Sequence, residues 1–167
     1  MNPAQADIVL RPAQPEDLPA VLALLESAVL PREGVAEWLA HFAVAERGGR
    51  LVGVAGLEVY GPDALLRSVA VADDWQGRGI GASLTDEVLN GARRDGVGTV
   101  YLLTETAEHY FPRHGFHRIG REEVPAAVQA SVEFRELCPV SSTVMAKSLT
   151  SGLEVGSSFV PPGGGQQ

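Results

Sequence analysis

Cysteine is nearly missing from this sequence: Cys138 is the only one among 167 residues. That excludes an intramolecular disulfide and a cage of thiolates around a metal, and it fits a reducing compartment such as the cytosol. Dense basic runs are also missing. Lys and Arg number 13 against 21 Asp and Glu, for a net charge of -8, and the cations are never gathered on one stretch. Nucleic acid is therefore not an expected partner; the acidic balance serves solubility. No apolar run approaches the ~20 residues of a membrane span, so no membrane partner is expected either. Residues Met1 to Asp7 lack the basic and apolar regions of a secretory signal. The Gly-Lys-Ser/Thr of a Walker loop does not occur, and Gly77-x-Gly79-x-Gly81 does not complete a dinucleotide fingerprint.

What the sequence does contain is a regular alternation of short strands and helices. Ile8 to Arg11 reads as a strand closed by Pro12. Pro15-Glu16-Asp17-Leu18 opens a helix with acids in its first turn, and Leu18, Val21, Leu22 and Leu25 form its buried stripe. A second short helix follows Leu30-Pro31-Arg32-Glu33-Gly34 and runs through Trp38 and Leu39. Phe42 to Glu46 and Leu51 to Tyr60 flank a hairpin turn at Arg47-Gly48-Gly49-Arg50, and Leu65 to Val71 follows a turn at Gly61-Pro62-Asp63. Gly81 to Arg94 is a helix with Ile80, Leu84, Val88 and Ala92 inward and Gly96 as its stop. Val100 to Thr104 is a strand, Glu105 to His114 a short helix, Phe116 to Arg121 extended, Pro125 to Ala130 a helical turn, and the last strand lies within Ser141 to Lys147. The pattern predicts one α/β domain over residues 1–149, with helices on both faces of a mixed sheet. Residues 150–167, rich in Ser, Gly and Pro, are expected to form a flexible tail.

The most informative segment is Ser68-Val69-Ala70-Val71-Ala72-Asp73-Asp74-Trp75-Gln76-Gly77-Arg78-Gly79-Ile80-Gly81. A strand enters a glycine turn and the turn opens a helix. Unpaired N–H groups at a helix start carry positive partial charge, and glycine lets backbone approach a phosphate closely. A pyrophosphate is the ligand this arrangement suits, with Arg78 as a charged contact. On its own, a tight turn that needs glycine for shape reads the same way.

Gln76, Gly79 and Gly81 resemble motif A of the GNAT N-acetyltransferases, and the order of elements from residue 8 to 149 matches that family. The resemblance implies a mixed, mostly antiparallel sheet of about seven strands with a central splay, acetyl-CoA as the cofactor, and a small-molecule amine as the acceptor. It implies that Val69, Ala70 and Val71 line the pantetheine arm and that Gln76, Gly77, Arg78, Gly79, Ile80 and Gly81 wrap the pyrophosphate. It also makes a homodimer one of the expected assemblies. After the second splayed strand the family often reads Asn-x-x-Ala-x-x-Phe-Tyr-x-Lys-x-Gly-Phe. Here Thr104 stands at the Asn, able to hydrogen-bond the cofactor. Phe111 stands at the Tyr that often protonates the leaving thiolate, and Arg113 stands where a cofactor phosphate is expected. Tyr110, one place early, is about 100° away on a helix, so it faces elsewhere unless Pro112 distorts the turn. It is a candidate acid or a half-buried packing residue. Glu58 is the candidate base, alternatively an exposed hairpin carboxylate. His109, His114 and His117 lack zinc-ligand spacing, and no metal site is expected.

Residues 102–107, 110–116, 124–128 and 133–145, with the loop Leu30 to Gly34, are similar to the arsenic-resistance N-acetyltransferases of the ArsN type, and the bacterial glutamate N-acetyltransferases are close in pattern. The first family is linked to acetylation of arsinothricin, an arsenic analogue of glutamate. Both resemblances imply an acceptor amino acid with a second anionic group. Arg32, Arg67 and Arg113 are the candidate acceptor-binding cations, since guanidinium suits carboxylate and arsinate; each is alternatively a surface salt-bridge partner, and Arg113 alternatively the cofactor-phosphate contact. A lone Cys138 does not suit direct arsenite binding and reads as a small buried hydrophobe. Two rival readings remain: an idle GNAT fold that binds acetyl-CoA or a partner, and a protein acetyltransferase.

Overall fold

The computed structural model describes residues 7–105, 107, 109–131, 134 and 142–150. Among these residues seven strands form one sheet: β1 (Val9–Pro12), β2 (Phe42–Arg47), β3 (Arg50–Tyr60), β4 (Asp63–Val71), β5 (Thr99–Thr104), β6 (His117–Ile119) and β7 (Thr143–Ser148), in the order β1-β2-β3-β4-β5-β7-β6. Two tight hairpins, at Gly48-Gly49 and Gly61-Pro62, make β2, β3 and β4 a meander. Every neighbouring pair is antiparallel except β4 and β5, which are parallel.

That parallel pair is short. It runs only through Asp63↔Thr99, Ala64↔Val100 and Leu65↔Tyr101, and beyond Leu65 the two strands separate. Just past this point β4 carries a bulge. Val54 pairs with Ala70 and Gly56 with Arg67, so Ser68 and Val69 together oppose Ala55. Ser68 sits at φ 63, a left-handed conformation that costs a non-glycine residue about 1–2 kcal/mol. A bulge bends its strand and sharpens the local twist, which turns the far half of β4 away from β5. The expected central splay is present, and the physical device that opens it is this bulge.

Helices cover both faces. The first, α1 (Leu18–Ser27), buries Val21 and Leu25 completely, and α2 (Val35–Trp38) adds Val35. They pack with Phe42, Val44 and Val54. On the opposite face α3 (Ile80–Arg94) turns Ile80, Leu84, Val88 and Ala92 onto Ala43, Ala45, Ala55 and Leu57. The i, i+4, i+8, i+12 spacing of those four makes one continuous stripe. Removing Leu84, fully buried, would cost about 2–5 kcal/mol. A third cluster joins Leu65, Tyr101, Val144 and Ala146 to Val128 of α4 (Ala126–Gln129) and to Phe134. The expected strands and long helices are thus in place, with β4 two residues longer at its start and the last strand ending at Ser148.

One expected helix does not form as read. Among the described residues between Glu105 and His114 there is a bend, a turn at 109–110, and a single 3₁₀ turn over Phe111–His114. Two sequence features explain this. The Thr104 side-chain oxygen accepts from the Ala107 N–H at 2.9 Å, which occupies the local chain in a turn. Pro112 then has no N–H to donate. The Extended segment expected over Phe116 to Arg121 is likewise shorter, ending at Ile119 before a 3₁₀ turn at Arg121–Glu123. Cys138 and the expected tail beyond Thr150 lie outside the described residues.

Candidate functional site

The glycine turn connects β4 to α3 through a 3₁₀ turn at Asp73–Trp75. Gly77 and Gly79 adopt φ 80 and φ 82, and Gly79 is the N-cap of α3. Neither glycine has a neighbour within 4 Å of where a Cβ would stand. Backbone shape, not crowding, is therefore what requires glycine there. The first backbone hydrogen bond of the helix runs from Ser83 N to Gly79 O, so the N–H groups ahead of Ser83 are open at the turn, with the positive end of the helix dipole behind them. Gln76 braces the turn: its Nε2 donates to Val71 O at 3.1 Å and to Asp73 Oδ1 at 3.3 Å.

This turn forms one wall of a groove of about 950 Å³. Val69, Ala70 and Val71, on the half of β4 that has no partner on its β5 side, line it with Gln76, Gly77, Gly79, Ile80 and Gly81, and the opposite wall carries Tyr110 and Arg113. Eight cofactor-contact candidates on the first wall and Arg113 on the second are thus brought to one place. Ala107 and His109, which sequence reasoning did not read as cofactor contacts, also line it.

Three candidates lie elsewhere. Arg78 turns to the outer side of the loop, where its guanidinium stacks 4.5 Å over the Trp75 ring and donates to Asp74 O at 3.4 Å. The indole face offers the cation a better partner than water. Phe111 is buried in the core, edge-on to Phe116 at 5.8 Å, so it does not line the groove. Thr104 uses its hydroxyl oxygen to hold Ala107.

The tyrosine assignment changes as a result. The 3₁₀ turn, tighter than the expected helix, sends Phe111 inward and Tyr110 to the groove. Gly81 has no side chain, and the Tyr110 hydroxyl lies 3.6 Å from where its Cβ would be. Burial raises the phenol above its ordinary pKa, and the nearby Thr85 hydroxyl pulls it partly back. The turn is fastened from two sides. Lys147 Nζ donates to His114 O at 2.6 Å, and His114 Nδ1 stands 3.3 Å from Asp86 Oδ1 on α3. Burial holds the Lys147 ammonium below the usual lysine range.

Glu58 and Arg67 lie on the α1–α2 face of the sheet. They form a buried ion pair, Arg67 Nη1 to Glu58 Oε2 at 2.6 Å. Glu58 is therefore not an exposed hairpin carboxylate. Its second oxygen accepts from the Tyr60 hydroxyl, and burial together with that carboxylate raises the Tyr60 phenol. Arg67 also reaches Ser68 Oγ at 3.0 Å and Pro31 O at 3.3 Å. Through Pro31 it ties the Leu30–Gly34 loop to the bulge. Gly34, at φ 82, leaves the space: a Cβ there would stand 3.0 Å from Arg67 Nη1. Arg32 points away, 55% exposed and 3.6 Å from Glu26; it and Arg67 are not brought together. Sequence reasoning missed Tyr60, Trp38 and Gly34 around this pair, because only the hairpin register and the loop path assemble them.

Comparison with known proteins agrees with this geometry. Residues 38–118 match the acetyltransferase (GNAT) domain. An amino-acid acetyltransferase of Mycobacterium tuberculosis is 34% identical over 147 residues, covering 82% of this chain and 81% of the relative. An amino-acid acetyltransferase of Pseudomonas putida is 30% identical over 128 residues, 71% of this chain, but the chain spans only 30% of that relative's length. Among solved structures, a Mycobacterium tuberculosis protein in complex with CoA superposes with a TM-score of 0.72 at 28% identity, covering 84% of this chain and 99% of the other. The N-acetylglutamate synthase of Neisseria gonorrhoeae shares the fold, with a TM-score of 0.73 at 22% identity over 85% of this chain and 35% of the other. With a splayed sheet, a glycine turn opening α3 and these relatives, the chain belongs to the GNAT family of N-acetyltransferases.

Proposed function

We propose that the protein transfers the acetyl group of acetyl-CoA to the amine of a small amino acid that carries a second anionic group. The observation that carries this reading is the shared groove: the open N–H groups at the start of α3, the unpaired edge of β4, and Tyr110 and Arg113 face one space. The donor set suits a pyrophosphate followed by a chain of amides, which can add to a free strand edge. The relatives named amino-acid acetyltransferases and the relative with bound CoA support the same reading.

When bound, acetyl-CoA supplies an activated acyl carbon and a thiolate leaving group. Gly77, Gly79, Ile80 and Gly81 would hold its phosphates and Arg113 would add a cation; Val69, Ala70 and Val71 would align the arm. Tyr110 holds a proton at its hydroxyl on the groove side, where a departing thiolate needs one. The acceptor amine must lose a proton before attack. Glu58 is the buried carboxylate on the opposite face, and it serves as base only by way of Tyr60 or water, since Arg67 already occupies one of its oxygens. Arg67 is fixed beside the bulge with its side chain fully buried and its charge matched by Glu58, so it would act on an anionic acceptor through the pair and the Leu30–Gly34 loop it holds rather than as a free cation.

Arsinothricin, or a glutamate analogue like it, is the acceptor we favour, on the resemblance of the Leu30–Gly34 loop and residues 102–116 to the arsenic-resistance enzymes; glutamate is the alternative. Residues 1–149 act as the acetyltransferase unit in this reading. The test is CoA release, followed by thiol titration, with arsinothricin, glutamate and unrelated amines as acceptors. Turnover confined to the dianionic amino acids supports the reading. Acetyl-CoA binding without turnover of any amine would favour a binding module.

A further inference from the structure

We propose that Thr85 is a positioning residue for Tyr110: in solution its hydroxyl, unpartnered in the structure, closes onto the phenol oxygen as donor and seats it over Gly81 at the groove. The inference deepens the reading above, in which Tyr110 is the proton-bearing group. It begins from an orphan. Thr85 is fully buried in α3, and its Oγ1 has no hydrogen-bond partner among the described residues. A helical threonine can bond back to the carbonyl three or four residues earlier; this one does not. A buried hydroxyl left unpaired costs about 1–3 kcal/mol, so an orphan one turn behind the groove-lining Gly81 calls for a partner.

The helix geometry supplies one. Gly81 and Thr85 are four residues apart and share one face, and helical side chains lean toward the N-terminus. Thr85 therefore leans toward the gap left by Gly81, where the Tyr110 hydroxyl lies. The phenol is within electrostatic reach, since the threonine hydroxyl already favours its ionised form. Threonine can donate to the phenol oxygen while the phenol's own proton points into the groove. When that proton leaves, the same donor stabilises the phenolate. The other groups facing Tyr110 are Asp86 of α3, which opposes ionisation, Arg113, which favours it, and the His114 ring 5.1 Å away.

The test reads the phenol directly, without cofactor or acceptor. Tyrosinate absorbance is followed against pH for the free protein, and the curve for Tyr110→Phe is subtracted to isolate one of the three tyrosines. Thr85→Val keeps the shape and removes the donor; its Tyr110 should titrate at higher pH than in the parent protein. Thr85→Ala should move it the same way, and Thr85→Ser should restore the parent curve. Circular dichroism through the same pH range checks folding. In turnover, Thr85→Val should lower kcat by about fivefold, the worth of one net hydrogen bond, with KM for acetyl-CoA little changed. A phenol that titrates identically in Thr85→Val and the parent overturns the proposal. Full turnover in Tyr110→Phe would instead remove the acid role, while the titration still decides the seat.

Discussion

Arg67 and Glu58 meet at 2.6 Å with side-chain exposures of 0% and 3%. Both come from the β3–β4 hairpin, and the register that opposes Gly56 to Arg67 and Glu58 to Leu65 puts them on one face, diagonally adjacent. The pair joins the bulge at Ser68 to the Leu30–Gly34 loop, so its energetics and the shape of this face are coupled.

Breaking one half of a buried pair strands the other charge. Glu58→Ala should destabilise the protein by about 3–5 kcal/mol, read by urea unfolding. Glu58→Leu combined with Arg67→Met should recover much of that loss, yet remain inactive if the pair serves the acceptor. A double variant as active as the parent would confine the pair to a structural role.

Acetyl-CoA should raise the melting temperature by binding the folded state. Gly79→Glu should abolish that rise, because the backbone at φ 82 resists a side chain and a carboxylate would face the phosphates. Cofactor affinity equal to the parent's, measured by calorimetry, would remove the glycine turn from the cofactor site.

Tyr110→Phe should lower kcat by about 100-fold, the ordinary worth of a general acid. Sequence position alone predicts little effect, since Phe111 holds the usual tyrosine place. The 3₁₀ turn reverses the expectation. Single-turnover kinetics with saturating acetyl-CoA decide between them, and a change of less than twofold would return Tyr110 to packing.

Acid should weaken the fold through Asp17. Hydrogen bonds from Arg11 hold this carboxyl below its ordinary pKa, against an opposing burial effect. A depressed carboxyl stabilises fully above its unfolded value, about 3.9, and that contribution is lost as pH falls through the folded value. Melting temperature measured from pH 7 to pH 2 should fall less steeply at the acid end in Asp17→Asn. Parallel curves for the two proteins would show that Arg11–Asp17 contributes nothing.

Ending the chain at Thr150 should leave melting and turnover nearly unchanged, since the residues beyond are mostly Ser, Gly and Pro. Ending it before Leu149 should not. Leu149 is 1% exposed and its N–H donates to Gly98 O at 2.7 Å, so its loss should cost about 2–5 kcal/mol, by analogy with large-to-small core changes. Thermal melts of the two truncations separate the cases.

Local order and periodicity settled much of this protein before any folding is considered. The helical stripe Ile80, Leu84, Val88 and Ala92, the hairpin glycines and the strand–turn–helix around Gln76 to Gly81 are properties of near neighbours, governed by backbone propensity and side-chain period. They placed the glycine wall of the groove and the fold class. The remainder depended on contacts between distant segments. Ser68 could not be read as left-handed, because a bulge is a mismatch between two strands. Glu58 could not be read as buried, because Arg67, Tyr60 and Gly34 reach it only through register and loop path. Tyr110 rather than Phe111 faces the groove because Pro112 and Thr104 shorten a helix to one 3₁₀ turn, and a one-residue change of phase is enough to exchange an inward side chain for an outward one.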